Sequence, residues 1–367
     1  MSNLLIVQII NSLSIGGAEN IAKNIALNLP AKIKSQFIIF EKKIDPSTRK
    51  EFARKNIRIN QVLSSSFLGK QIATYRILRK IKPQLVHTHL GGLSYSFLPA
   101  RLLGIPVVHT IHSPIEGKNI TKLRCFHRFA YRFGAIPVAV SSETNKAARE
   151  IFKLQKIITI FNGVEINNFD TNLDKIKERK EQKLPVDKII LINVGNLKPI
   201  KNQKLIIDAV SRINNDKLFL LILGRGEAEH ELIAYAKDQG VKNFKIVKNC
   251  TNVAKFLLAS DIFVLSSKSE GLPLSLLEAM AAKIPIISTN VGEMKKILVD
   301  HENAIVVKSN NVEELTSAIS ELMANKKLQR RISLRAKKLA KNKFSLKNMV
   351  KLYCNLYLKL IGENFSI

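Results

Sequence analysis

The segment Ala259-Ser-Asp-Ile-Phe-Val-Leu-Ser-Ser-Lys-Ser-Glu-Gly-Leu-Pro-Leu-Ser-Leu-Leu-Glu-Ala-Met280 holds an apolar run, a turn and a helical pattern in succession. The run 261–265 indicates a buried strand, and 275–282 indicates the helix that follows it. Glu270 then lies in the connecting loop, and Glu278 on the first or second helical turn. Open parallel sheets bind ligands outside the carboxyl ends of their strands, where two carboxylates can accept hydrogen bonds from two sets of hydroxyls. Glutamates also favour helix starts for dipole reasons, so the rest of the chain must support this interpretation.

Short apolar runs alternate with amphipathic helical segments from one end of the chain to the other. Nearly continuous apolar strands in strict alternation with helices are typical of parallel sheets covered on both faces. The predicted strands are 4–10, 37–40, 57–62, 85–88, 106–111, 138–140, 157–160, 189–194, 218–223, 244–247, 262–265, 285–288 and 304–307.

One stretch, residues 169–187, breaks the alternation because it is rich in lysine, glutamate and aspartate and has little apolar periodicity. A chain of 367 residues is also too long for one ordinary core. We therefore predict an α/β fold of two doubly wound, Rossmann-like domains that face each other across a cleft. The predicted parts are a first domain (1–168), a linker (169–187), a second domain (188–344) and a C-terminal helix (345–367) that packs back toward the first domain.

The chain carries 59 Lys+Arg against 29 Asp+Glu, a formal net charge of +30. Such a charge favours an anionic partner, although a lysine-rich proteome would produce it as well. The three cysteines have no metal or redox spacing, which favours reduced cytoplasmic thiols. The apolar start is short and lacks a basic flank, so it indicates a first strand rather than a signal peptide. No stretch approaches the ~20 apolar residues that span a bilayer, so any membrane contact is expected to be peripheral.

Glycines follow three of the predicted strands. Gly16 and Gly17 precede the first helix, whose N-terminus offers N–H groups to a phosphate; glycines at such a turn can also be purely structural. In the second domain, Gly195-Asn-Leu-Lys-Pro-Ile-Lys-Asn202 places Lys201 near a helix start, which favours a bound diphosphate. Gly224 follows the next strand and indicates a turn near a nucleotide; the sequence there lacks the full dinucleotide fingerprint.

Histidines cluster at the ends of two strands of the first domain. His87 and His89 share a strand face, but no third ligand has suitable spacing, so we expect no metal. His112 stands at the carboxyl end of the next strand and is predicted to point toward the cleft. The chain contains no Asp-x-Asp motif, so a metal-chelating site for a sugar nucleotide is not indicated. Neither a metal nor a cofactor is therefore expected.

Taken together, these motifs resemble glycosyltransferase family 4, a group of retaining enzymes with the GT-B fold. The resemblance covers nearly the whole chain and is more specific in its second half. It rests on Gly16-Gly-Ala-Glu19, His112, Asn162-Gly-Val164, Gly195 with Lys201, Glu270 with Glu278, 259–267, 277–282, Pro285 and 289–293.

The resemblance implies a role for each matching residue. The first domain becomes the acceptor side, where Gly17 faces the donor diphosphate and the acceptor, and His112 lies beside the reacting sugar. In the second domain Lys201 holds the diphosphate, Glu270 contacts the donor hexose and Glu278 binds the ribose hydroxyls. Catalysis is assigned to His112, Lys201 and Glu270. The expected donor-binding residues are Gly16, Gly17, Asn196, Lys201, Gly224, Glu270, Gly271, Leu272, Pro273, Leu274 and Glu278.

Several positions depart from the family pattern. Asn196 stands where an arginine is frequent, which removes one phosphate cation and leaves Lys201 as the single clamp, unless Arg225 or Lys198 compensates. Leu272 replaces a common phenylalanine, and Lys283 stands where glycine is usual. Glu165 stands where aspartate is common.

The first domain is the more basic one, with 25 Lys+Arg against 9 Asp+Glu over residues 1–170. Its segment 119–133 combines a stripe of basic residues with a stripe of phenylalanines at helical spacing. This predicts an acceptor-side or membrane-side surface; the alternative is that the phenylalanines face the core and the arginines face water. The basic residues of this surface are Lys122, Arg124, Arg128 and Arg132.

The sequence therefore predicts a retaining glycosyltransferase that moves a hexose or N-acetylhexosamine from a nucleotide-sugar to a lipid-linked or cell-surface oligosaccharide. A UDP-sugar is the favoured donor, a GDP-sugar the next. The enzyme is expected in the cytoplasm, peripherally bound to the anionic inner face of the plasma membrane. One alternative is a nucleic-acid binder, but no binding motif supports it. Others are a GT-B epimerase or phosphorylase, or a catalytically weak member of the family.

Overall fold

The computed structural model describes residues 4–14, 16–112, 120–169, 174–250 and 252–362, with the backbone alone at 120–122. The chain divides into two compact units. Unit 1 consists of residues 1–162 together with 346–367, and unit 2 consists of residues 163–345.

Unit 1 alternates strands with helices along its first part and closes with the last helix of the chain. Its elements are β1 (Leu4–Ile10), α1 (Gly17–Leu27), β2 (Ile33–Ile39), α2 (Pro46–Arg54), β3 (Arg58–Gln61), α3 (Phe67–Ile81), β4 (Leu85–His89), α4 (Gly92–Leu102), β5 (Val107–Ile111), α5 (Ile120–Arg132), β6 (Ile136–Ala139), α6 (Ser142–Phe152) and β7 (Ile158–Thr159).

Unit 2 repeats the same alternation and includes a 3₁₀ turn at Pro199–Lys201. Its other elements are α7 (Lys175–Glu181), β8 (Ile189–Val194), α8 (Gln203–Ile213), β9 (Leu218–Leu223), α9 (Glu229–Asp238), β10 (Phe244–Val247), α10 (Val253–Ala259), β11 (Ile262–Leu265), α11 (Leu274–Ala281), β12 (Ile286–Thr289), α12 (Met294–Ile297), β13 (Ile305–Val307), α13 (Val312–Ala324) and α14 (Lys326–Lys343). The final helix, α15 (Leu346–Ile361), belongs to unit 1.

Within the described residues both sheets are parallel and doubly wound. The strand order in unit 1 is β3-β2-β1-β4-β5-β6-β7, and in unit 2 it is β10-β9-β8-β11-β12-β13. The direction of winding reverses between β1 and β4 in one sheet and between β8 and β11 in the other. At such a switch point the neighbouring loops diverge and leave a crevice at the carboxyl ends of the strands, where α/β proteins bind ligands.

The predicted strands all occur, because apolar runs of this length are buried on both faces of the sheets. Two strands start earlier than predicted: β6 begins at Ile136, two residues before the prediction, and β2 begins at Ile33, four residues before it. Lys34 and Gln36 made its first half look polar, but these side chains are exposed or only partly buried while Ile33 and Ser35 are buried. This is the alternation of a strand with one covered face.

The segment 169–187, which we predicted to be a linker, contains the helix α7, and this helix belongs to unit 2. Arg179 on this helix is buried and donates to Asp261 Oδ2 at 2.5 Å and to the carbonyls of Ala259 and Lys188. Asp261 Oδ2 also accepts from the Ile190 amide at 2.7 Å. Arg179 is one of the charged residues that suggested a solvated linker, but it forms a buried ion pair with Asp261. The periodicity of the sequence could not predict this pair, because it depends on a residue far away along the chain.

Lys283 illustrates a departure from the family pattern that has a backbone cause. It lies just beyond α11 with φ of +56°, in the left-handed region. Glycine adopts this conformation freely, whereas an L side chain costs roughly 1 kcal/mol or more. The usual glycine at this position therefore fits the helix end, and Lys283 accepts some strain.

The last helix, α15, packs against α1 and covers one face of the unit 1 sheet. Most of its apolar face is buried, including Leu346, Met349 and Tyr353. Leu358 is buried as well, whereas Leu356 is only partly buried. Two tyrosine hydroxyls reach the strands: Tyr353 contacts Thr110 Oγ1 at 2.8 Å, and Tyr357 contacts His87 Nδ1 at 2.7 Å.

Candidate functional site

The carboxyl edge of the unit 2 sheet is built from turns that pack directly on one another. A Cβ at Gly224 would lie 2.0 Å from the carbonyl oxygen of Gly195, and a Cβ at Gly226 would lie 2.2 Å from that of Leu197. Only glycine allows the turns after β8 and β9 to approach this closely. The Leu197 amide donates to the Arg225 carbonyl at 2.9 Å, which joins the two turns.

Lys201 ends the 3₁₀ turn before α8 and forms an ion pair with Glu270 from the loop after β11. Ser267 Oγ donates to the same Glu270 oxygen, Oε1, at 2.7 Å. Ser266 Oγ donates to the Lys201 carbonyl at 2.9 Å. The Lys201 side chain is 23% exposed and that of Glu270 is 9% exposed. The ammonium group is thus held in a fixed position at the switch point between β8 and β11, with part of its surface open to a ligand.

The loop that carries Glu270 is fixed by the end of the neighbouring strand, β12. Thr289 Oγ1 donates to the Ser267 carbonyl at 2.7 Å, and the Glu293 amide donates to the Gly271 carbonyl at 3.3 Å. Gly292 has φ of +53°, and a Cβ there would lie 1.8 Å from the Glu270 carbonyl oxygen. These contacts therefore fix the backbone that connects Glu270 to α11, which consists of Gly271, Leu272, Pro273 and Leu274.

Glu278 lies on the second turn of α11, as predicted, and its side chain is partly buried. Desolvation raises its pKa to about 7. Cys250, which follows β10, has its pKa raised first by burial and further by the nearby Glu278 carboxylate. The carboxylate therefore lies at the β10 side of the same sheet edge, where it can accept hydrogen bonds from hydroxyls when ionised.

Asn196 is exposed, and its carbonyl accepts from Gln203 Nε2 at 3.1 Å. Its neutral side chain supplies no charge at the position where the family frequently has an arginine. Arg225 and Lys198, which could compensate, are both exposed on the same edge. Lys201 is ion-paired with Glu270 on the same edge.

In unit 1, Gly16 and Gly17 form the turn between β1 and α1. A Cβ built on Gly17 would meet nothing within 4 Å. Gly16 is extended, with φ of −177°. The Glu19 carboxylate lies against this turn, since a Cβ on Gly16 would lie 2.3 Å from Glu19 Oε2.

His112 follows β5 directly, and its ring is hydrogen-bonded within unit 1. His112 Nε2 lies 3.0 Å from His89 Nδ1, and His89 Nε2 lies 2.9 Å from Gln8 Oε1. His87 shares the strand face of His89, with ring centroids 4.2 Å apart. His109 lies on the opposite face against His127, with ring centroids 5.2 Å apart. Within the described residues, no group of three His, Cys, Asp or Glu could hold a metal ion.

The phenylalanines of α5 divide between the two interpretations, since Phe126 is partly buried and packs against the core of unit 1, as the simpler alternative expected. Arg124, Arg128 and Arg132 are exposed, as either interpretation expected. However, Phe129 is 42% exposed and Phe133 is 53% exposed, while the buried positions are His127, Ala130 and Tyr131. The side chain of Lys122 lies outside the described residues. Nor does any helix in the described part of the chain combine the length and apolarity needed to cross a bilayer.

Sequence reasoning missed the residues that hold the site together. Ser267 and Gln8 are buried polar side chains whose partners come from loops or strands distant in sequence. Tyr353 and Tyr357 lie on the buried, largely apolar face of α15, and their hydroxyls contact Thr110 and His87 of the strands. A buried polar residue in an apolar strand, such as Gln8 in Leu4–Ile10, is the one signal that could have indicated such a network.

Two sequence profiles together cover most of the chain. The family described as Glyco_transf_4, Glycosyltransferase Family 4, matches residues 15–168, and the family described as Glycosyl transferases group 1 matches residues 174–339. Nearly all of the first profile falls on unit 1, and all of the second falls on unit 2.

Among curated proteins, the chain is similar to the UDP-Gal:alpha-D-GlcNAc-diphosphoundecaprenol alpha-1,3-galactosyltransferase of Escherichia coli, with 27% identity over 70% of each chain. It is also 27% identical to the putative teichuronic acid biosynthesis glycosyltransferase TuaC of Bacillus subtilis, over 66% of this chain and 62% of that protein.

Among solved structures, the crystal structure of Anabaena HepE in complex with UDP-glucose matches with a TM-score of 0.84. The two chains are 17% identical, and the match covers 97% of this chain and 100% of the other. At this identity the match establishes the fold, which agrees with the two doubly wound sheets. From the paired profiles and this fold, the chain belongs to the group 1 glycosyltransferases of the GT-B fold.

Proposed function

We propose that this glycosyltransferase moves a hexose or N-acetylhexosamine from a UDP-sugar to a lipid-linked oligosaccharide of the cell envelope, with retention of the anomeric configuration. The observation that carries the proposal is the fixed Lys201–Glu270 pair at the switch point of unit 2, with Glu278 at the same sheet edge. The Escherichia coli relative, whose name specifies a UDP-sugar and a polyprenyl-diphosphate acceptor, supports this choice of substrates.

In this proposal unit 2 binds the donor. Lys201 neutralises the diphosphate, and its present partner Glu270 turns to the hexose hydroxyls. The backbone from Gly271 to Leu274 follows the sugar and phosphate, and Glu278 accepts hydrogen bonds from the two ribose hydroxyls. One carboxylate has enough acceptor sites for both hydroxyls.

The chemical step exchanges one bond at the anomeric carbon for another on the same face. The bond from the anomeric carbon to the β-phosphate oxygen breaks as the bond to the acceptor oxygen forms. The acceptor hydroxyl gives its proton to the departing phosphate oxygen. Because negative charge accumulates on the leaving diphosphate, the fixed ammonium of Lys201 stabilises the transition state more than the ground state. No metal is needed in this scheme.

The direct test is to incubate the protein with GlcNAc-diphosphoundecaprenol and, separately, with UDP-galactose, UDP-glucose, UDP-N-acetylglucosamine or a GDP-hexose. We expect one UDP-sugar to give an extended glycolipid whose new linkage is α by NMR when the donor is α. A product of inverted configuration, or a GDP-sugar as the best donor, would contradict the corresponding part of the proposal.

Replacing Glu278 with glutamine is expected to remove the pH dependence of UDP binding. With a pKa of about 7, Glu278 loses its charge as the pH falls from 8 to 5.5, and a protonated carboxyl accepts hydrogen bonds from ribose less well. Wild-type affinity for UDP, measured by titration calorimetry, should therefore fall about tenfold over this range, while Glu278→Gln stays weak throughout.

The same pKa predicts the opposite trend for stability, because the folded state binds this proton more tightly than the unfolded state. Without ligand, stability should fall as the pH rises through the range between the ordinary glutamate value and 7, and Glu278→Gln should abolish this slope. The exposed Glu313→Gln serves as the matched control for both measurements. Identical pH profiles for wild type and Glu278→Gln would refute the ribose role.

We further propose that unit 1 binds the cytoplasmic face of an anionic membrane through its helices α3, α4 and α5, which pack side by side. From residue 52 to 142 the chain has 14 basic residues and a single acidic one, Glu116. The exposed side chains of these three helices include both basic and large apolar residues, and together they form what we call the basic–apolar face. These residues are Leu68, Ile72, Arg76, Arg79, Leu98, Arg101, Leu102, Arg124, Arg128, Phe129, Arg132 and Phe133.

Apolar side chains can enter the headgroup region while arginines contact lipid phosphates, and this combination favours a bilayer over a rigid nucleic acid. Replacing Arg124, Arg128 and Arg132 with glutamine is expected to weaken sedimentation with phosphatidylglycerol vesicles about 100-fold, since each basic residue contributes roughly 1 kcal/mol. High salt should release the wild type. The matched control replaces three exposed lysines of α14, namely Lys327, Lys338 and Lys341, and should retain binding. Equal losses in both variants, or binding to duplex DNA but not to vesicles, would contradict this surface.

A further inference from the structure

Within the described residues, the ring of His112 is hydrogen-bonded to another histidine. His89 Nδ1 lies 3.0 Å from His112 Nε2, and the other His89 nitrogen, Nε2, lies 2.9 Å from Gln8 Oε1. Gln8 and His89 are both fully buried. The three side chains form one continuous hydrogen-bonded chain that ends at His112.

The orientation of the Gln8 amide sets the direction of this chain. In this structure Gln8 presents Oε1 to His89, and an amide oxygen can only accept, so in this orientation His89 Nε2 carries a hydrogen and donates it. A neutral imidazole has one N–H, which leaves a lone pair on His89 Nδ1. His112 must then donate from Nε2 to that lone pair. Its own Nδ1 is left without a hydrogen.

The environment supports neutral rings along the whole chain. Burial lowers the pKa of His89 well below its usual value, and the nearby rings of His87, His112 and His109 lower it further. Burial likewise lowers the pKa of His112. A second proton on either ring would therefore be strongly disfavoured near neutral pH, and each ring keeps a single hydrogen.

We propose that His89 is a positioning residue which, together with Gln8, holds His112 as its Nε2–H tautomer, so that His112 Nδ1 is left to accept a hydrogen bond from a substrate hydroxyl. The role of His112 beside the sugar rests on the proposed function. The tautomer itself does not, because it follows from the contacts within unit 1.

The fold makes this arrangement rigid. Gln8 lies in the middle of β1, and His89 is the last residue of β4, the strand across the switch point from β1. On the same sheet face, His87 is fixed by Thr110 Oγ1 at 2.7 Å and by Tyr357 of α15. The His89 ring therefore stacks on a neighbour that is itself fixed at both nitrogens. Neither ring can turn without breaking a buried hydrogen bond, which costs about 1–3 kcal/mol.

The test combines NMR with kinetics on the full-length chain. Long-range ¹H–¹⁵N spectra of histidine-labelled protein at pH 7.5 should assign the hydrogen of His112 to Nε2, with the His112 signals identified by their loss in His112→Asn. In His89→Phe this assignment should be lost. With UDP-galactose or the best UDP-sugar and GlcNAc-diphosphoundecaprenol, kcat should fall on the order of tenfold, the worth of one hydrogen bond. The KM for the donor should change less than twofold.

Two further variants separate positioning from loss of structure. Gln8→Met keeps His89 but removes its hydrogen-bond acceptor. Like His89→Phe, it should therefore abolish the Nε2–H assignment of His112 and lower kcat. It replaces His89→Phe in the test if that variant does not fold. His109→Phe alters an equally buried histidine on the opposite sheet face, and it should leave the His112 tautomer and kcat unchanged.

A hydrogen on His112 Nδ1 in the wild type would overturn the proposal. So would normal kcat in both His89→Phe and Gln8→Met. If the wild type showed no transfer with any UDP-sugar, the proposed function would fail. The NMR measurement would still decide whether Gln8 and His89 hold His112 as its Nε2–H tautomer.

Discussion

Replacing Lys201 with alanine is expected to lower the rate of sugar transfer by about 10²–10³-fold, the usual effect of removing one donor that stabilises a developing anion. The structure gives the reason: Lys201 is held by Glu270, and Asn196 supplies no second cation. The measurement is kcat for UDP release in the presence of the acceptor.

The matched control is Lys198→Ala, which removes the same charge from an exposed position of the same turn. It should change kcat less than threefold. Circular dichroism of Lys201→Ala should match the wild type, because Glu270 keeps its bond from Ser267 after the lysine is lost. Turnover of Lys201→Ala within a few-fold of Lys198→Ala would show that Lys201 is not the diphosphate clamp.

Replacing Asp261 with alanine is expected to reduce the free energy of unfolding by about 3–5 kcal/mol, because it leaves the buried Arg179 without its counterion. Burial opposes the charge on Asp261, but Lys175, the Ile190 amide and Arg179 hold its pKa below the usual value. The carboxylate therefore stabilises unit 2 at neutral pH, and this stabilisation is lost as the pH falls below the ordinary aspartate range.

Chemical denaturation followed by circular dichroism measures this loss, since the chain has no tryptophan to report on unfolding. The control is Glu313→Ala, which breaks an ion pair with Arg212 that is exposed to solvent and should therefore change the free energy of unfolding far less. If Asp261→Ala were as stable as Glu313→Ala, α7 would be only a loosely attached segment, as a linker would be.

The alternation of apolar runs was sufficient to predict both sheets, because strands buried on both faces are apolar along their whole length. β1, β8, β9, β10 and β11 have the predicted bounds. Strands with one partly exposed face were less certain, and the start of β2 was missed for this reason. The charged segment around α7 was misread, because an ion pair between Arg179 and Asp261 depends on residues 82 positions apart.

The site could be predicted as a set of residues but not as a geometry. The positions of Lys201, Glu270 and Glu278 at the ends of strands or starts of helices follow from local pattern, and the structure places all three on the carboxyl edge of unit 2. That Lys201 pairs with Glu270 could not be read from spacing, because it depends on the strand order that makes β8 and β11 neighbours.

The histidines of unit 1 show the same limit. The prediction that His87 and His89 share a strand face follows from the period of two along β4, and the structure agrees. Their partners come from β1, β5 and α15, which are distant in sequence. The hydrogen-bonded series from Gln8 to His112 could therefore be recognised only in the three-dimensional structure. The exposure of Phe129 and Phe133 was likewise undecided, because Arg124, Arg128 and Arg132 fit either a solvated or an interfacial helix.

The central claim is that the carboxyl edge of unit 2 binds a nucleotide-sugar through Lys201 and the two glutamates. Thermal unfolding of the wild type and of Lys201→Ala, with and without each nucleotide-sugar, tests it most directly. A ligand that binds only the folded state at 100 times its Kd adds about 2.7 kcal/mol of stability. We predict that a UDP-sugar raises the Tm of the wild type clearly and that of Lys201→Ala much less. An equal rise in both proteins, or no rise with any nucleotide-sugar, would contradict the claim.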